Sequence, residues 1–598
     1  MDISISSNSL ISDVIHLWEK IKKHRKLQLG ALMALMLIAS LSEAFSIGAV
    51  FPFLAALGAP EKLMNQVDLA PIWIMLGIVN TNQLILALTI IFGALTIFCG
   101  VMRLTLLSYQ TKLCHGIGAD LSQEIYRRTL YQPYLVHVGR NSSSVIAGVF
   151  DKTNTVTYHI VIPTVTIISS LFFCVAVLGL VFWTKPIIAL VAFSALSAMY
   201  LGVIYFTKQK LIRDGELSNA NQTLVLKLLQ EGLGGIRDII IDGTQELYTN
   251  IYRNADGPMR HARANMQIIG AFPRYILEAL GAVLIATMSY VLVVEGDGMY
   301  EAIPILGMFA LAAQRLLPII QQAYQAWVGM KGSRPSLKDV LVLLDQPVLQ
   351  EVDLNDSKKI LFNQAIVFEE VGFKYQSNLD WVIRDVNLTI EKGDCIGLIG
   401  KTGSGKSTLA DILMGLLQPV KGRMLVDSVT ISFDNCRGWQ KLIAHVPQVI
   451  YLADASIAEN IAFGVPSSEI DLHKVRLAAQ NAQLASSIES WPEAYKTIVG
   501  ERGVRLSGGQ RQRIGIARAL YKEANVIILD EATSALDSHT EKLVMDAIKK
   551  IGANLTLIII AHRLSTLESC NRVIELSNGG IIKSGSYEEM VLQTLNDN

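Results

Sequence analysis

Apolar residues follow two different patterns along this 598-residue chain. In the first 330 residues they come in long runs. A helix needs roughly 20 mostly apolar residues to cross a bilayer core. Six runs meet that length, at about 28–57, 83–108, 159–184, 186–207, 266–294 and 302–330. The third and fourth are the purest: between Lys152 and Lys208 the only charged residue is Lys185, and Lys185-Pro186 makes the turn between them. Ahead of the first run, Leu10, Ile11, Val14, Ile15, Trp18 and Ile21 recur at helical spacing before a basic cluster. That pattern predicts an elbow helix within residues 1–27 lying in the membrane surface, with an ordinary protein-packed amphipathic helix as the alternative. Beyond residue 360 the runs shorten and polar loops separate them. Asp394–Ile399 and Val526–Leu529 read as buried strands. The expected fold is an α-helical membrane domain of six transmembrane helices over 28–330, a polar linker over 331–360, and an α/β domain over 361–598.

Composition sharpens this reading. Hydrophobic residues make up 51 % and charged residues 17 %, against about 25 % charged in a soluble chain. Disorder is excluded, and the low charge argues against a wholly soluble protein. Lys+Arg and Asp+Glu are 52 each, so no basic excess points to nucleic acid. Six cysteines are scattered without a CxxC pair, so no disulfide framework or zinc site is read. Cytoplasmic segments retain Lys and Arg. Segments 1–27, 109–158 and 208–265 hold eighteen of them, and the intervening segments hold two. Both ends of the membrane half, and the α/β domain after it, are therefore expected in the cytosol, in a multi-pass protein of the cell inner (cytoplasmic) membrane. The long basic segments predict helices protruding from the bilayer, with short cross-pieces near 132–145 and 235–247.

Chemistry concentrates in the last third. The strand Asp394–Ile399 runs into Gly400-Lys401-Thr402-Gly403-Ser404-Gly405-Lys406-Ser407-Thr408 and then a helical stretch. This is the full GxxxxGK[ST] pattern in strand–loop–helix context, so the domain reads as a P-loop nucleotide-binding domain. Glycines let backbone N–H groups close around phosphate, and the helix N-terminus adds its dipole. Lys406 is expected on the β/γ-phosphates and Ser407 on Mg²⁺. The strand Val526–Leu529 ends in Asp530 and Glu531. Asp530 suits the Mg²⁺ shell, and Glu531 is placed to polarise the attacking water.

Leu506-Ser507-Gly508-Gly509-Gln510 resembles the signature motif of ATP-binding cassette (ABC) proteins. The order of the other elements agrees with that resemblance. Tyr375, 25 residues before Gly400, is similar to the family's adenine-stacking aromatic. Gln448 in Val446-Pro447-Gln448 resembles the glutamine loop, a Mg²⁺ and water contact. Ser534-Ala535-Leu536-Asp537 resembles the D-loop, and His562 the switch histidine. Six spans ahead of one cassette is the half-transporter layout of type IV ABC exporters, and Thr497–Gly503 resembles the exporter X-loop. The resemblance implies ATP and Mg²⁺ as cofactors. It also implies a homodimer in which Ser507, Gly508, Gly509 and Gln510 cap the nucleotide on the partner chain.

The cargo is less legible. Arg103, Arg274 and Arg315 fall on three different spans. A charge at the bilayer centre costs about 2.5–3.5 kcal/mol on insertion scales, so each needs a polar cavity or a partner. One reading converges them on a phosphate or pyrophosphate headgroup. The other pairs them with Glu43 and Glu278, or lets them snorkel at helix ends. Phe272–Gly281, Ala312–Pro318 and Ser42–Phe53 resemble spans of the bacterial flippases for lipid-linked oligosaccharides. That resemblance implies an amphiphilic, lipid-linked oligosaccharide or polysaccharide precursor as substrate, taken from membrane lipid. The rivals are a multidrug, peptide or lipid exporter, and an ATP-gated channel or regulatory subunit that does not pump.

Overall fold

The computed structural model describes residues 9–58, 60–64, 73, 78–184, 186–295, 299–347, 360–533, 535–550, 555–561 and 564–590. They fall into two compact units, Met1–Gln132 with Arg140–Leu349, and Pro133–Gly139 with Gln350–Asn598.

The first unit is helical throughout its described residues. The helix Leu10–Lys20 starts at Ser9, whose hydroxyl accepts from the Ser12 N–H. It buries Leu10, Asp13 and Leu17 and leaves Ile11, Ile15 and Trp18 exposed, so the stripe read from the sequence is divided, with Leu10 inward and these three outward. The first long run is not one helix but two, Lys23–Gly48 and Val50–Gly58. Pro52 is the reason: it has no N–H to donate to the Gly48 carbonyl, so the helix restarts with Pro52 in its first turn. After the short helix Pro60–Met64, the helix Thr81–Leu130 has 50 residues, and Pro186–Gly234 has 49. At 1.5 Å per residue each is roughly 75 Å long, more than twice a bilayer core. Between them, Ser142–Ile146, Thr153–Val156 and Ile162–Thr184 are joined by two π-helical stretches, Ala147–Lys152 and Thr157–Val161. The Thr153 hydroxyl donates to the Gly148 carbonyl at 2.9 Å, and Pro163 follows the second stretch without an N–H. Both features favour a widened turn. Gln245–Ala271, Pro273–Glu295 and Met299–Gly332 complete the long helices. The segments Lys23–Gly58, Thr81–Leu130 and Ser142–Trp183 are long and apolar enough to cross a membrane.

The helix Arg334–Leu344 follows the last long one and is held by ion pairs. Arg334 meets Asp13 at 2.7 Å, and Lys20 meets Asp345 at 2.5 Å. Asp339 receives Lys152 at 2.5 Å and the Asn219 amide at 3.0 Å.

The second unit is built on two sheets. Their strands are β1 Ala365–Phe373, β2 Ile383–Glu391, β3 Cys395–Ile399, β4 Lys421–Val426, β5 Val429–Thr430, β6 Ile443–Val446, β7 Val526–Asp530, β8 Thr556–Ile560, β9 Arg572–Ser577 and β10 Gly580–Gly585. The smaller sheet is antiparallel in the order β2-β1-β4-β5. The larger runs β10-β9-β3-β8-β7-β6 and is parallel except at β10. Both faces of a parallel sheet are covered, which is why Val526–Leu529 is continuously buried. The helix Lys406–Leu413 packs Leu409, Ile412 and Leu413 into the core shared with β1, β3 and β7. Trp439 is fully buried there and donates its indole N–H to the Leu413 carbonyl at 2.7 Å. The carboxyl ends of β3 and β7 therefore open on the same edge of the sheet with β8 between them, where ligands of such sheets bind.

Lys152 is 6 % exposed, so its charge depends on Asp339. Asp339→Ala should destabilise the first unit by about 2 kcal/mol, and Lys152→Met with Asp339→Leu should recover most of it. Thermal unfolding of the two variants in detergent checks this.

Candidate functional site

The loop after β3 is shaped by backbone conformations that favour glycine. Gly400, Gly403 and Gly405 have φ of 148°, 83° and 101°. A side chain at Gly400 would meet the Leu576 carbonyl at 2.3 Å, and one at Gly405 would meet Ile383 and the Val382 carbonyl. Gly405 caps the helix Lys406–Leu413. Lys406 is 7 % exposed, and its Nζ donates to the carbonyls of Gly400 at 2.7 Å and Lys401 at 3.0 Å. The loop thus circles its own lysine. Lys401, Thr402, Gly403 and Ser407 lie exposed at the mouth. Ser404 is buried, and its hydroxyl has no hydrogen-bond partner among the described residues. Tyr375 stands edge-on to Phe373, centroids 5.1 Å apart, and its hydroxyl shares a 3.2 Å hydrogen bond with Thr408. It sits beside the loop, half-buried.

Two further predicted residues meet at the end of β7. Gln448 donates its amide to Glu531 at 2.6 Å. Glu531 itself holds φ of 49°, and its N–H donates to the Ile560 carbonyl at 2.9 Å. Asp530 ends β7 one residue earlier. Asp411, which the sequence reading passed over, lies on the P-loop helix within electrostatic reach of Asp530. Burial and then the Asp530 charge push its carboxyl up to about 6. The signal was present in the sequence as an acid on the buried face of an otherwise apolar helix turn, Leu409–Leu413. Two crowded carboxylates suit a divalent cation.

Ser507 caps the helix Gly508–Tyr521 reciprocally: its hydroxyl accepts from Gln510 N–H at 3.2 Å, and the Gln510 side chain accepts from Ser507 N–H at 2.9 Å. Gly508 and Gly509 lie against Ala535, close enough that a side chain at Gly509 would meet its carbonyl at 3.2 Å. Gln512 accepts from Ala535 N–H at 2.9 Å. Asp537 starts the next helix and accepts from Thr540 N–H at 3.0 Å, which lowers its carboxyl pKa. Among the described residues, no hydrogen bond links the turn 507–510 to the loop 400–408. His562 and Ser534 lie outside the described residues. The short helix Tyr134–Val138, within the cross-piece expected at 132–145, groups with this unit. Burial pushes the Tyr134 phenol up, aided by Asp411 and Tyr375.

In the first unit, two of the three arginines converge. Glu43 is fully buried and takes Arg103 at 2.7 Å and Arg315 at 3.3 Å. Cys99 donates its thiol to the same carboxylate. Arg103 also lies over the Phe173 ring at 5.1 Å. Arg274 is elsewhere: it pairs with Glu278 at 2.7 Å, one turn along its own helix, and both are exposed. Convergence of all three on one anion is therefore not what the fold builds. The reason is local, since an i,i+4 Arg–Glu pair satisfies itself on one helix face.

Residues 30–315 match the family described as ABC transporter transmembrane region, and residues 383–534 match the family described as ABC transporter. An ATP-dependent lipid A-core flippase of Alkalilimnicola ehrlichii is 33 % identical over 432 residues, 70 % of this chain and 72 % of that one. The chain belongs to the ABC transporter family. Its relative of the same description in Cupriavidus pinatubonensis is 29 % identical over 479 residues, covering 79 % of this chain and 80 % of the relative. The solved structure of a bacterial Atm1-family ABC exporter with ATP bound superposes with a TM-score of 0.78 at 20 % identity, over 95 % of this chain and 96 % of that one. It establishes the fold. This ABC transporter is thus a multi-pass membrane protein of the exporter fold, with a helical transmembrane domain fused to an α/β nucleotide-binding domain that hydrolyses ATP to drive transport.

The Asp411–Asp530 pair gives the transporter a stability signature. The folded pKa of Asp411 is raised, so folding binds protons more tightly and the strain is greatest above pH 6. Asp411→Asn should raise the stability of the nucleotide-binding domain by about 1 kcal/mol at pH 7.5, a figure reduced for the group's partial solvent exposure. The gain should shrink towards zero as pH falls towards 4. Thermal melts across that range check the sign.

Proposed function

We propose that two copies of this chain form a homodimer of the cytoplasmic membrane. It hydrolyses ATP to move a lipid-linked oligosaccharide or polysaccharide precursor outward, with both termini and the nucleotide-binding domains in the cytosol. The observation that carries the cargo reading is the buried Glu43 with its two arginines. One carboxylate against two guanidinium groups leaves one positive charge uncompensated among the spans, and an anionic headgroup would balance it. The names of the relatives point to a lipid-type cargo. The resemblance of the first and sixth spans to lipid-linked oligosaccharide flippases narrows it.

The dimer follows from incomplete loops. The Ser507–Gln510 turn begins the helix Gly508–Tyr521, and its partners within the chain are Ala535, Arg513 and its own cap. A two-fold axis brings this turn over the nucleotide of the other chain. Ile236, Ile240 and Ile241, on the short helix Ile236–Ile241 between the helices Pro186–Gly234 and Gln245–Ala271, are exposed and await a partner surface.

Within each site, Tyr375 stacks on adenine. Loop residues Gly400 to Gly405 wrap the phosphates, and Lys406 exchanges its carbonyl partners for phosphate oxygens. Ser407, Gln448 and Asp530 would hold Mg²⁺, which supplies charge neutralisation on the phosphates. Glu531, oriented by Gln448, polarises the attacking water, and His562 takes the switch role by resemblance. Asp537 fixes the start of its helix beside the partner's site. ATP draws the two domains together because it binds the closed pair better than the open one.

Glu531→Gln should keep ATP binding and lower hydrolysis at least about 100-fold. Proteoliposome flux of a labelled polyprenyl-pyrophosphate oligosaccharide should fall with it. Flux that continues without ATP would identify a channel, and drug-stimulated hydrolysis without glycan flux would identify a multidrug pump. A second variant tests the charge cluster. Glu43→Gln leaves both arginines uncompensated and should tighten binding of a polyprenyl-pyrophosphate probe about tenfold, whereas Arg103→Ala with Arg315→Ala should abolish it.

A further inference from the structure

One cavity in the first unit has a lining that includes none of the charge cluster Glu43, Arg103 and Arg315. It has a volume of about 750 Å³ and lies among the helices that contain Asn154, Gln222, Gln267 and Gln325. That volume is in the range of sites for small organic ligands, about 300–1,000 Å³. Most such sites are lined mainly by apolar side chains. This one presents ten neutral polar side chains and only three ionisable ones, Asp151, His159 and Arg263.

The amides are placed by helix periodicity. Gln267 shares a face with Arg263 and Gly270, and Gln325 shares one with Gly329 and Gly332, at i, i+4 and i+7. Two helices meet backbone to backbone at the cavity wall: a side chain at Gly215 would stand 2.3 Å from the Gly332 carbonyl. A larger residue at either position would push the walls apart. Asn219 is already committed, donating to Asp339 and accepting from Ser336 at 2.8 Å. Arg263 is committed to the Ser218 hydroxyl at 3.2 Å. By contrast, Asn154, Gln222, Gln267 and Gln325 line the cavity with no side-chain hydrogen-bond partner among the described residues; Gln222 is half-buried and the other three are exposed, so their amides are open to a ligand entering from solvent. They come from four different helices. Each offers both a donor pair and an acceptor. Tyr158 adds an aromatic ring, itself braced edge-on by His115 at 5.3 Å.

We propose that this cavity binds the sugar portion of the cargo. Side-chain amides that donate and accept at once, an aromatic face and little net charge match a neutral polyhydroxylated ligand. They match poorly an apolar drug, which would leave four amides unpaired on desolvation, or an anion, which would call for more than one free cation. The inference rests on the lipid-linked glycan reading above and adds a second contact to it: pyrophosphate at Glu43, Arg103 and Arg315, sugar at the amide-lined cavity.

Full-length protein in nanodiscs is titrated with three probes. They are undecaprenyl pyrophosphate, undecaprenyl pyrophosphate carrying an N-acetylglucosamine disaccharide, and diglucosyl diacylglycerol, which has sugar but no pyrophosphate. Gln267→Leu with Gln325→Leu should weaken both sugar-bearing probes about tenfold, the loss of one or two neutral hydrogen bonds, and leave undecaprenyl pyrophosphate unchanged. Gln222→Leu, on another helix, should do the same, so a folding defect in one variant does not decide the result. Equal weakening of all three probes, or of none, overturns the inference. So does amide-dependent binding of peptides in place of sugars. If undecaprenyl pyrophosphate fails to bind wild-type protein while diglucosyl diacylglycerol binds in an amide-dependent way, the pyrophosphate reading falls and the sugar site stands.

Discussion

An ammonium group buried in a protein must have oxygen around it. Lys406 is 7 % exposed and finds that oxygen in the carbonyls of Gly400 and Lys401, a few residues back in its own loop. Everything at the nucleotide site follows from making that closure possible. The loop has to reverse direction within six residues, which is why Gly400, Gly403 and Gly405 take φ values that other residues adopt only with strain. The strand before it has to be fixed, and β3 is fixed by lying between β9 and β8 in the larger sheet. The helix after it has to be anchored, and Leu409, Ile412 and Leu413 anchor it against both sheets. A phosphate chain entering the loop offers better acceptors than two peptide carbonyls. The two carbonyls therefore hold the lysine in a position from which it can be released.

The same constraint, that charge in a low-dielectric place must be matched, organises the first unit. Glu43 is fully buried and carries two guanidinium groups and a thiol. Lys152 is matched by Asp339, and Asp13 by Arg334. The last two pairs both involve the helix Arg334–Leu344, which continues from the last long helix. Ion pairs are concentrated on the segment that leads out of the helical unit, where an apolar contact would slide and a directed one does not. Arg128 reinforces them by donating to the Leu344 carbonyl at 2.6 Å and the Gln346 carbonyl at 3.0 Å.

How much of this could be read from the sequence depends on whether the cause is local. The P-loop was legible because glycine spacing states where φ must be positive, and a short apolar run before it states a buried strand. The meeting of Gln448 with Glu531 was legible only through the order of motifs, since 83 residues separate them. The split of the first run at Ala49 was missed although Pro52 was in view, because a proline in an apolar run ends a helix in one context and starts the next in another. The widened turns before Pro163 left no hydropathy trace at all. Arg274 was left open between convergence with Arg103 and Arg315 and a local pair with Glu278, and the fold takes the local one: composition does not rank a near answer against a distant one. The amide-lined cavity was invisible because Asn and Gln are common on any polar helix face. Only the backbone contact of Gly215 with Gly332 and the convergence of four helices turn them into a wall.

A helix N-terminus with open N–H groups favours an anion. The nucleotide-binding unit has two such termini of opposite character. At Lys406 the chain supplies its own loop, lysine and adjoining carboxylates, so an anion there is enclosed by one subunit. At Gly508 the Ser507 and Gln510 side chains occupy one donor each, but the glycines leave that end flat and unobstructed, backed by Ala535. A flat, partly positive end fits a phosphate already held by something else. On the proposed dimer, each triphosphate is then the acceptor for one enclosed terminus and one open terminus. Neither copy gains the second contact unless both close. Hydrolysis removes the terminal phosphoryl group and with it the contact that the open terminus shares. The grip is thus conditional on an intact nucleotide at the dimer seam, and that condition makes the cycle directional.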